Sequence, residues 1–282
     1  MDLPNTQSLI LFMESISIVI TSRSTELSIR CLKSLISFFP VDSMSTEIIL
    51  LYQGNKEPKF KEFANSSVIK IIYILPNSLS YSRNNGSRLA KGKYLLFLDD
   101  DIELIKTLNL KDLIKNKDIG TIQILSNLTL NPLLEPRDEL KLKKILKPKD
   151  WRIFMGAALF IKKNIFIKLK GFNENLGVGS EYGSGEETDL FFKAFEKGYQ
   201  IWWIESYSLI HPEVASCPEE KQRMYTIGQG YMSKLSGFFS KRFYYCLLLP
   251  ISWHLVSIIL PLDNRKRLFH LKMIKHLLIG LF

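Results

Sequence analysis

Three consecutive aspartates, Asp99-Asp100-Asp101, close the apolar run Tyr94 to Leu98. Like charges held this near one another repel, and a divalent cation relieves the repulsion. Carboxylate oxygens favour Mg2+ or Mn2+ over zinc, and these ions commonly sit on one or two carboxylates together with substrate phosphates. A second acidic group, Glu186-Glu187-Thr188-Asp189, follows a glycine-rich stretch, and His211 follows the apolar run Ile201 to Ile210. One group can hold a metal while a second takes a proton. Taken alone, the triplet has a second, less favoured reading as a solvated acidic turn; the second group and the histidine weigh further against that.

The elements that must position these residues are legible from period. Ile16 to Ile20 is a short β-branched run, polar residues Thr21 to Ser24 follow, and Leu27, Cys31, Leu32, Leu35 and Ile36 recur at helical spacing. Glu47 to Tyr52 and Ile69 to Leu75 repeat the short apolar run, Ser80 to Lys91 reads as a helix stopped by Gly92, and Tyr94 to Leu98 is the next strand. Ile119 to Leu125 and Met155 to Ile161 are further strands, separated by a basic stretch punctuated by Pro132, Pro136 and Pro148 that wraps the surface. Runs that are apolar throughout suit a sheet covered on both faces, hence an α/β sandwich with a mainly parallel sheet. The aspartates then lie at a strand's carboxyl end, where ligands bind in such sheets. Gly171 to Gly185 holds five glycines in 15 residues, a composition for a loop that backbone or ligand approaches closely. It leads into a helix from Glu186 with Leu190, Phe191, Ala194 and Phe195 on one face, closed by Gly198.

Composition bounds the rest. With 282 residues, 46% hydrophobic and 23% charged, the chain is long enough for one large domain with an appendage and is not a disordered polymer. Cys31, Cys217 and Cys246 make neither an even disulfide framework nor a thiolate zinc pair. The apolar run Leu9 to Met13 has no basic residue before it, which argues against a signal peptide and for a cytoplasmic body. The net charge of +10 is concentrated late: Ser240 to Phe282 carries seven Lys or Arg and one acid. Within it Phe243 to Leu262 is 20 residues without a formal charge, interrupted by Pro250, and a basic amphipathic stretch follows. A helix broken at Pro250 and lying on a membrane surface is favoured over a span or a buried hairpin. The domain division is 1–15 as an extension, 16–240 as the catalytic body and 241–282 as a basic apolar membrane-associating tail.

Three segments, Ile16 to Leu35 (ISIVITSRSTELSIRCLKSL), Tyr81 to Glu103 (YSRNNGSRLAKGKYLLFLDDDIE) and Gly156 to His211, resemble the nucleotide-diphosphosugar glycosyltransferases of family 2, which have the GT-A fold. The resemblance implies a Rossmann-like three-layer α/β/α sandwich and an inverting, metal-dependent transfer to a saccharide or lipid-linked acceptor. It carries the donor contacts onto Thr21, Ser22, Arg23, Arg83, Asp99 and Asp100, and the metal, Mn2+ or Mg2+, onto Asp99, Asp101 and His211. The catalytic base falls on the Glu186-Glu187 pair, with Glu187 favoured; which of Glu186, Glu187 and Asp189 reaches the acceptor stays open. A helix amino end is expected to keep that base ionised. Gly156, Tyr182 and Asp189 are the acceptor-side residues, Asp189 serving equally as a helix cap.

One departure matters. The family's acid after the second strand is replaced by Leu51-Tyr52-Gln53-Gly54-Asn55, where Tyr52 would stack on a base and Gln53 would bond its edge, so the nucleotide stays open. The resulting expectation is a glycosyltransferase of surface polysaccharide, lipopolysaccharide or glycolipid synthesis, peripheral at the inner face of the cell membrane. A sugar nucleotidyltransferase and a non-catalytic saccharide or membrane-surface binding module are the rivals. Nucleic acid is not an expected partner, since no basic stripe with interleaved aromatics lies outside the tail. Oligomeric state is not legible.

Overall fold

The computed structural model describes residues 15–38, 46–54, 60–75, 78–110, 114–213, 218–237, 240–260 and 263–282. The extension before Ser15, and Asn55, Cys217, Pro261 and Leu262 of the sequence reading, lie outside them.

The first strand, β1 (Ile16–Ser22), is buried along its whole length and alternates between two cores. Ile16, Ile18 and Ile20 join Ile48 and Leu50 on one face, and Val19 joins Ile49 and Leu51 on the other. A strand wanted by two cores has no polar face to give to water, which is why its sequence reads as a continuous apolar run. β1 pairs in parallel with β2 (Thr46–Tyr52) and β4 (Tyr94–Asp99), and β2 pairs in parallel with β3 (Ile69–Tyr73). Helices α1 (Thr25–Phe38) and α2 (Leu79–Leu89) supply the crossovers. β9 (Ala158–Lys162) runs antiparallel between β4 and β6 (Ile119–Ile122), and β10 (Ile201–Ile204) and β8 (Ile145–Leu146) complete an eight-stranded sheet. The expected mainly parallel α/β sandwich is therefore present, with β9 and β8 reversed.

Two apolar runs that read as single strands are each divided between sheets. After β6 the chain turns at Gln123, whose side-chain amide donates to the Ser206 carbonyl at 2.8 Å, and β7 (Leu125–Ser126) starts in a second sheet. After β10 it turns through Glu205 to Ser208 and enters β11 (Leu209–His211) beside β7. β5 (Glu103–Leu104), which follows the aspartates directly, pairs with β11 on its other side. This small sheet carries His211 to the acid triplet.

Short helix α3 (Asp138–Lys143) precedes the edge strand β8, α4 (Lys163–Lys168) follows β9 directly and packs Phe166 on Phe97, and α5 (Glu186–Glu196) follows Gly185. The last three helices are α6 (Glu219–Lys234), α7 (Lys241–Ile259) and α8 (Asn264–Leu281). The expected break at Pro250 does not occur. A π-helical turn over Tyr244–Leu248 precedes it, and the wider turn accommodates the proline's missing N–H and its ring.

The tail packs on the body at two places. Arg242 is buried and its guanidinium lies 2.7 Å from Asp189 of α5. α8 crosses α6 backbone to backbone: a Cβ added at Gly280 would stand 1.9 Å from the Ile227 carbonyl oxygen, and one at Gly230 would stand 2.1 Å from that of Leu277. Since neither obstacle is a flexible side chain, Gly280→Ala must separate the helices, and a loss of about 1–3 kcal/mol is expected. Denaturant unfolding reads this directly, and an unchanged midpoint would show that the crossing is not as tight as described.

Candidate active site

The guanidinium of Arg83 organises the site. It stands in the second turn of α2, whose amino end is capped by the Ser78 hydroxyl, and is 1% exposed. One amino group donates to Asp99 Oδ1 at 2.5 Å and to the Gly156 carbonyl at 3.3 Å, and the other to Glu186 Oε1 at 3.1 Å. A single buried cation thus ties the acid strand end to the amino end of α5. Arg83 also lines the cavity, as the sequence reading expects of a donor-side residue, while both amino groups bond to the protein and its Nε has no hydrogen-bond partner.

Around it opens a cavity of about 610 Å3, with Asp99, Asp101, His211, Gly156, Glu186 and Glu187 in its walls. The five glycines from Gly171 to Gly185 all have positive φ, from 65° to 94°, so the loop takes a path closed to most side chains. At Gly185 (φ 93°) a Cβ would also press on Met232 of α6, 2.8 Å from its sulfur. The amino end of α5 is delivered to the cavity by this loop.

The three acids in the first turn of α5 divide cleanly. Glu186 faces Arg83, as above. Asp189 is fully buried between Arg242 at 2.7 Å and Lys193 at 2.6 Å, away from the cavity walls. The acceptor role read for Asp189 is therefore corrected: it anchors the tail. Glu187 is left lining the cavity. Burial, first, and the neighbouring Glu186 charge push its carboxyl well above the ordinary range, while Arg83 and its own backbone N–H pull the other way and lose. Burial and the Glu186 charge outweigh the pull of the helix amino end toward the ionised form.

At the triplet, His211 Nδ1 lies 2.7 Å from the Pro212 carbonyl oxygen, which can only accept, so Nδ1 carries a proton. Its Nε2 faces Asp101 Oδ2 at 3.2 Å, and the Asp101 hydrogen bond is the first cause of a raised imidazole pKa. Asp101 Oδ1 is buried with no hydrogen-bond partner. An orphaned carboxylate oxygen beside an imidazole of fixed tautomer fits a cation, which would replace the shared proton. Among the described residues no three His, Cys, Asp or Glu gather into a cage. Two protein ligands suit a hard ion that also takes substrate phosphates.

Asp100 sits apart from this cavity. Burial pushes its carboxyl up to about 6; the Ser22 hydroxyl, which donates to it, holds it down, and Asp101 and Asp99 push it further. Thr21 is buried with an unpartnered hydroxyl, and Arg23 is exposed in the loop after β1. Tyr52 and Gln53 are corrected. The Tyr52 ring is buried edge-on against Phe60 and Tyr73, and the Gln53 amide donates to the Ser78 carbonyl at 3.0 Å and the Ser82 hydroxyl at 2.6 Å. Both hold the interior and the start of α2. Tyr182 is corrected too: its ring stacks on Tyr231 with centroids 3.7 Å apart and is absent from the cavity wall. The sequence reading missed Trp151, Arg152, Lys221 and Tyr225, which do line the cavity. An aromatic-cation pair inside a Pro-punctuated polar stretch was the available signal for the first two.

Comparison with known proteins agrees with this architecture. The sequence model of Glycosyl transferase family 2 matches residues 17–130, so the resemblance read from the motifs is borne out. S. aureus TarS 1–349 in complex with UDP-GlcNAc superposes with a TM-score of 0.66 at 13% identity, covering 95% of this chain and 82% of that one. Mannosyltransferase PcManGT from Pyrobaculum calidifontis, in complex with GDP-Man and Mn2+, gives a TM-score of 0.62 at 11% identity, covering 96% and 87%. The fold is that of the GT-A glycosyltransferases. A Drosophila melanogaster protein assigned as polypeptide N-acetylgalactosaminyltransferase 13 is 30% identical over 152 residues, 44% of this chain. The chain spans only 25% of that relative's length.

The Asp189–Arg242 contact gives a test of the correction. Arg242→Met leaves a buried carboxylate facing only Lys193, and a loss of about 3–5 kcal/mol is expected. Adding Asp189→Leu should cost less than the sum of the two single changes, as measured in a double-mutant cycle by denaturant unfolding. Additive losses would mean that the two residues act independently.

Proposed function

We propose that this chain is a metal-dependent, inverting glycosyltransferase. It moves a sugar from a nucleotide-diphosphosugar to a hydroxyl of a saccharide or lipid-linked acceptor in the synthesis of surface polysaccharide, lipopolysaccharide or glycolipid. The observation that carries this reading is one cavity holding the Asp101–His211 pair and Glu187, the single α5 acid not committed to an arginine. The relatives bound to UDP-GlcNAc and to GDP-Man with Mn2+ support a nucleotide-sugar donor and a divalent ion.

In this mechanism Glu187 takes the proton of the acceptor hydroxyl as that oxygen attacks the anomeric carbon. The bond from that carbon to the donor diphosphate breaks on the opposite face, so a single displacement inverts the centre. A raised pKa makes Glu187 a stronger base once ionised, which suits an alcohol proton. Asp101 and His211 would hold Mn2+ or Mg2+, and the ion would supply positive charge for the departing diphosphate. Arg83 keeps Asp99 and Glu186 in place, and Thr21, Ser22, Arg23 and Asp100 are the donor-side residues beyond the cavity.

The tail places the enzyme peripherally at the inner face of the membrane. Trp253, Val256 and Ile259 of α7 and Leu268 and Phe269 of α8 are exposed, with Arg265, Lys266 and Arg267 beside them. α7 is long and apolar enough to cross a bilayer, but burial of Arg242 against Asp189 ties its first turn to the body, which favours lying on the surface.

A screen of nucleotide sugars with Mn2+ or Mg2+, scoring released nucleotide diphosphate with membrane extract as acceptor, tests the activity. Glu187→Gln should lower the rate by about 10²–10⁴-fold, and Asp101→Ala should abolish the metal-dependent release. Because the base works as the carboxylate and its pKa is raised, activity should fall with decreasing pH at a higher pH than an ordinary glutamate gives. Metal-independent release, or a full rate in Glu187→Gln, refutes the assignment.

Membrane attachment has its own assay. Replacing Arg265, Lys266 and Arg267 together by serine should weaken sedimentation with anionic vesicles at ~1 kcal/mol per residue. Equal sedimentation of variant and wild type would remove the basic stretch from the explanation.

A further inference from the structure

The wall of the catalytic cavity continues into a second cavity of about 590 Å3, because Trp151 and Arg152 line both. Beyond them the second cavity is walled by Tyr245, Leu249, Pro250 and Trp253 of α7, an apolar surface with Trp253 and Leu249 largely exposed. A third cavity of about 430 Å3 adjoins it through Lys149 and Tyr245 and adds Lys147 and Lys241. The rim is cationic. Lys143, Lys147 and Lys149 share one carboxylate, that of Glu139, and Arg152 has no carboxylate partner among the described residues. An apolar trough that meets a guanidinium lying over the Trp151 ring, with no carboxylate partner among the described residues, matches an amphiphile with an anionic head, its chain in the trough and its head at the arginine.

We propose that this trough is the acceptor subsite and that the acceptor is a phosphate-bearing lipid. Its hydrocarbon chain lies along Leu249, Pro250 and Trp253, its phosphate sits on Arg152, and the hydroxyl to be glycosylated extends toward Glu187. The inference rests on the glycosyltransferase reading and narrows its acceptor from a saccharide or lipid-linked hydroxyl to one class.

The test uses the full chain and a probe that needs no turnover. Dodecyl phosphate, kept below its micelle concentration, is titrated while tryptophan fluorescence is followed, since Trp151 and Trp253 face the trough. Dodecyl phosphate should bind at least about tenfold more tightly than inorganic phosphate or dodecyl maltoside, and Arg152→Gln and Trp253→Ser should each weaken it by about tenfold. Trp253 is 66% exposed, so its replacement leaves the fold intact. Sedimentation with anionic vesicles should be unchanged in Arg152→Gln. Inorganic phosphate binding as tightly as dodecyl phosphate would reduce the site to a free-anion site and overturn the proposal. So would Arg152→Gln weakening nucleoside diphosphate instead of dodecyl phosphate, or weakening vesicle sedimentation in parallel. A chain that binds dodecyl phosphate but releases nucleotide from no donor would keep the trough and lose the transferase; release without dodecyl phosphate binding would do the reverse.

Discussion

The buried guanidinium of Arg83 is the contact on which the site depends. Charge taken out of water is costly unless it is paired, so Arg83 is tolerated there only with Asp99 and Glu186 beside it. The dependence runs both ways. The strand-end aspartates and the α5 glutamates approach from separate elements carrying the same sign, and without a cation between them they would push α5 away from β4. Arg83 therefore permits two acidic groups of different use to border one cavity. By occupying Glu186 it also leaves Glu187, one residue on, partly buried beside a charged neighbour, which is the source of its raised pKa.

The glycine-rich loop answers the geometric half of the same problem. α5 must begin close to α2, α6 and the strand ends at once, and its first turn is packed on three sides. Gly185 takes positive φ where Met232 leaves no room for a Cβ, and Ser184 meets Gly228 of α6 with an added Cβ only 2.4 Å from the serine hydroxyl. Small residues on both partners let α6 close one wall of the cavity, and α8 then closes on α6 through Gly230 and Gly280. The chain of close backbone approaches runs from the first turn of α5 out to the last helix.

How much of this the sequence disclosed follows from the range of each interaction. The acid triplet at a strand end, the glycine loop and the acids opening a helix are local patterns, and they stood where periodicity put them. The divided strands were not legible, because a run of apolar residues has the same period whichever sheet it joins. What divides them is Gln123 donating to Ser206, a pairing across 83 residues. Asp189 presents the same difficulty: as a helix-opening acid it resembles a site residue, and only its partner Arg242, 53 residues later, assigns it to the tail anchor. Tyr52 and Gln53 lie at a strand end where a ligand is expected, yet both side chains turn inward to satisfy α2 and the β1–α1 loop.

The tail's charge gains a different meaning once Arg242 is seen to be buried. Of its seven cations, Arg242 is a structural counter-ion for α5, and the cluster at the start of α8 is exposed beside apolar residues that no part of the described chain covers. Because α7 is fixed to α5 by that ion pair and α8 to α6 by the glycine crossing, the apolar surface of the tail has a set orientation relative to Glu187. A bilayer bound there would lie on the side of the cavity where Trp151 and Arg152 open toward α7. On the function proposed for this chain, an acceptor anchored in the bilayer would then reach the cationic rim before it reached the base, whereas a nucleotide donor would approach from the β1 and β4 strand ends. Separate approaches would let such a lipid arrive without displacing the donor, and the Arg242–Asp189 anchor between the tail and α5 would keep the two approaches aligned.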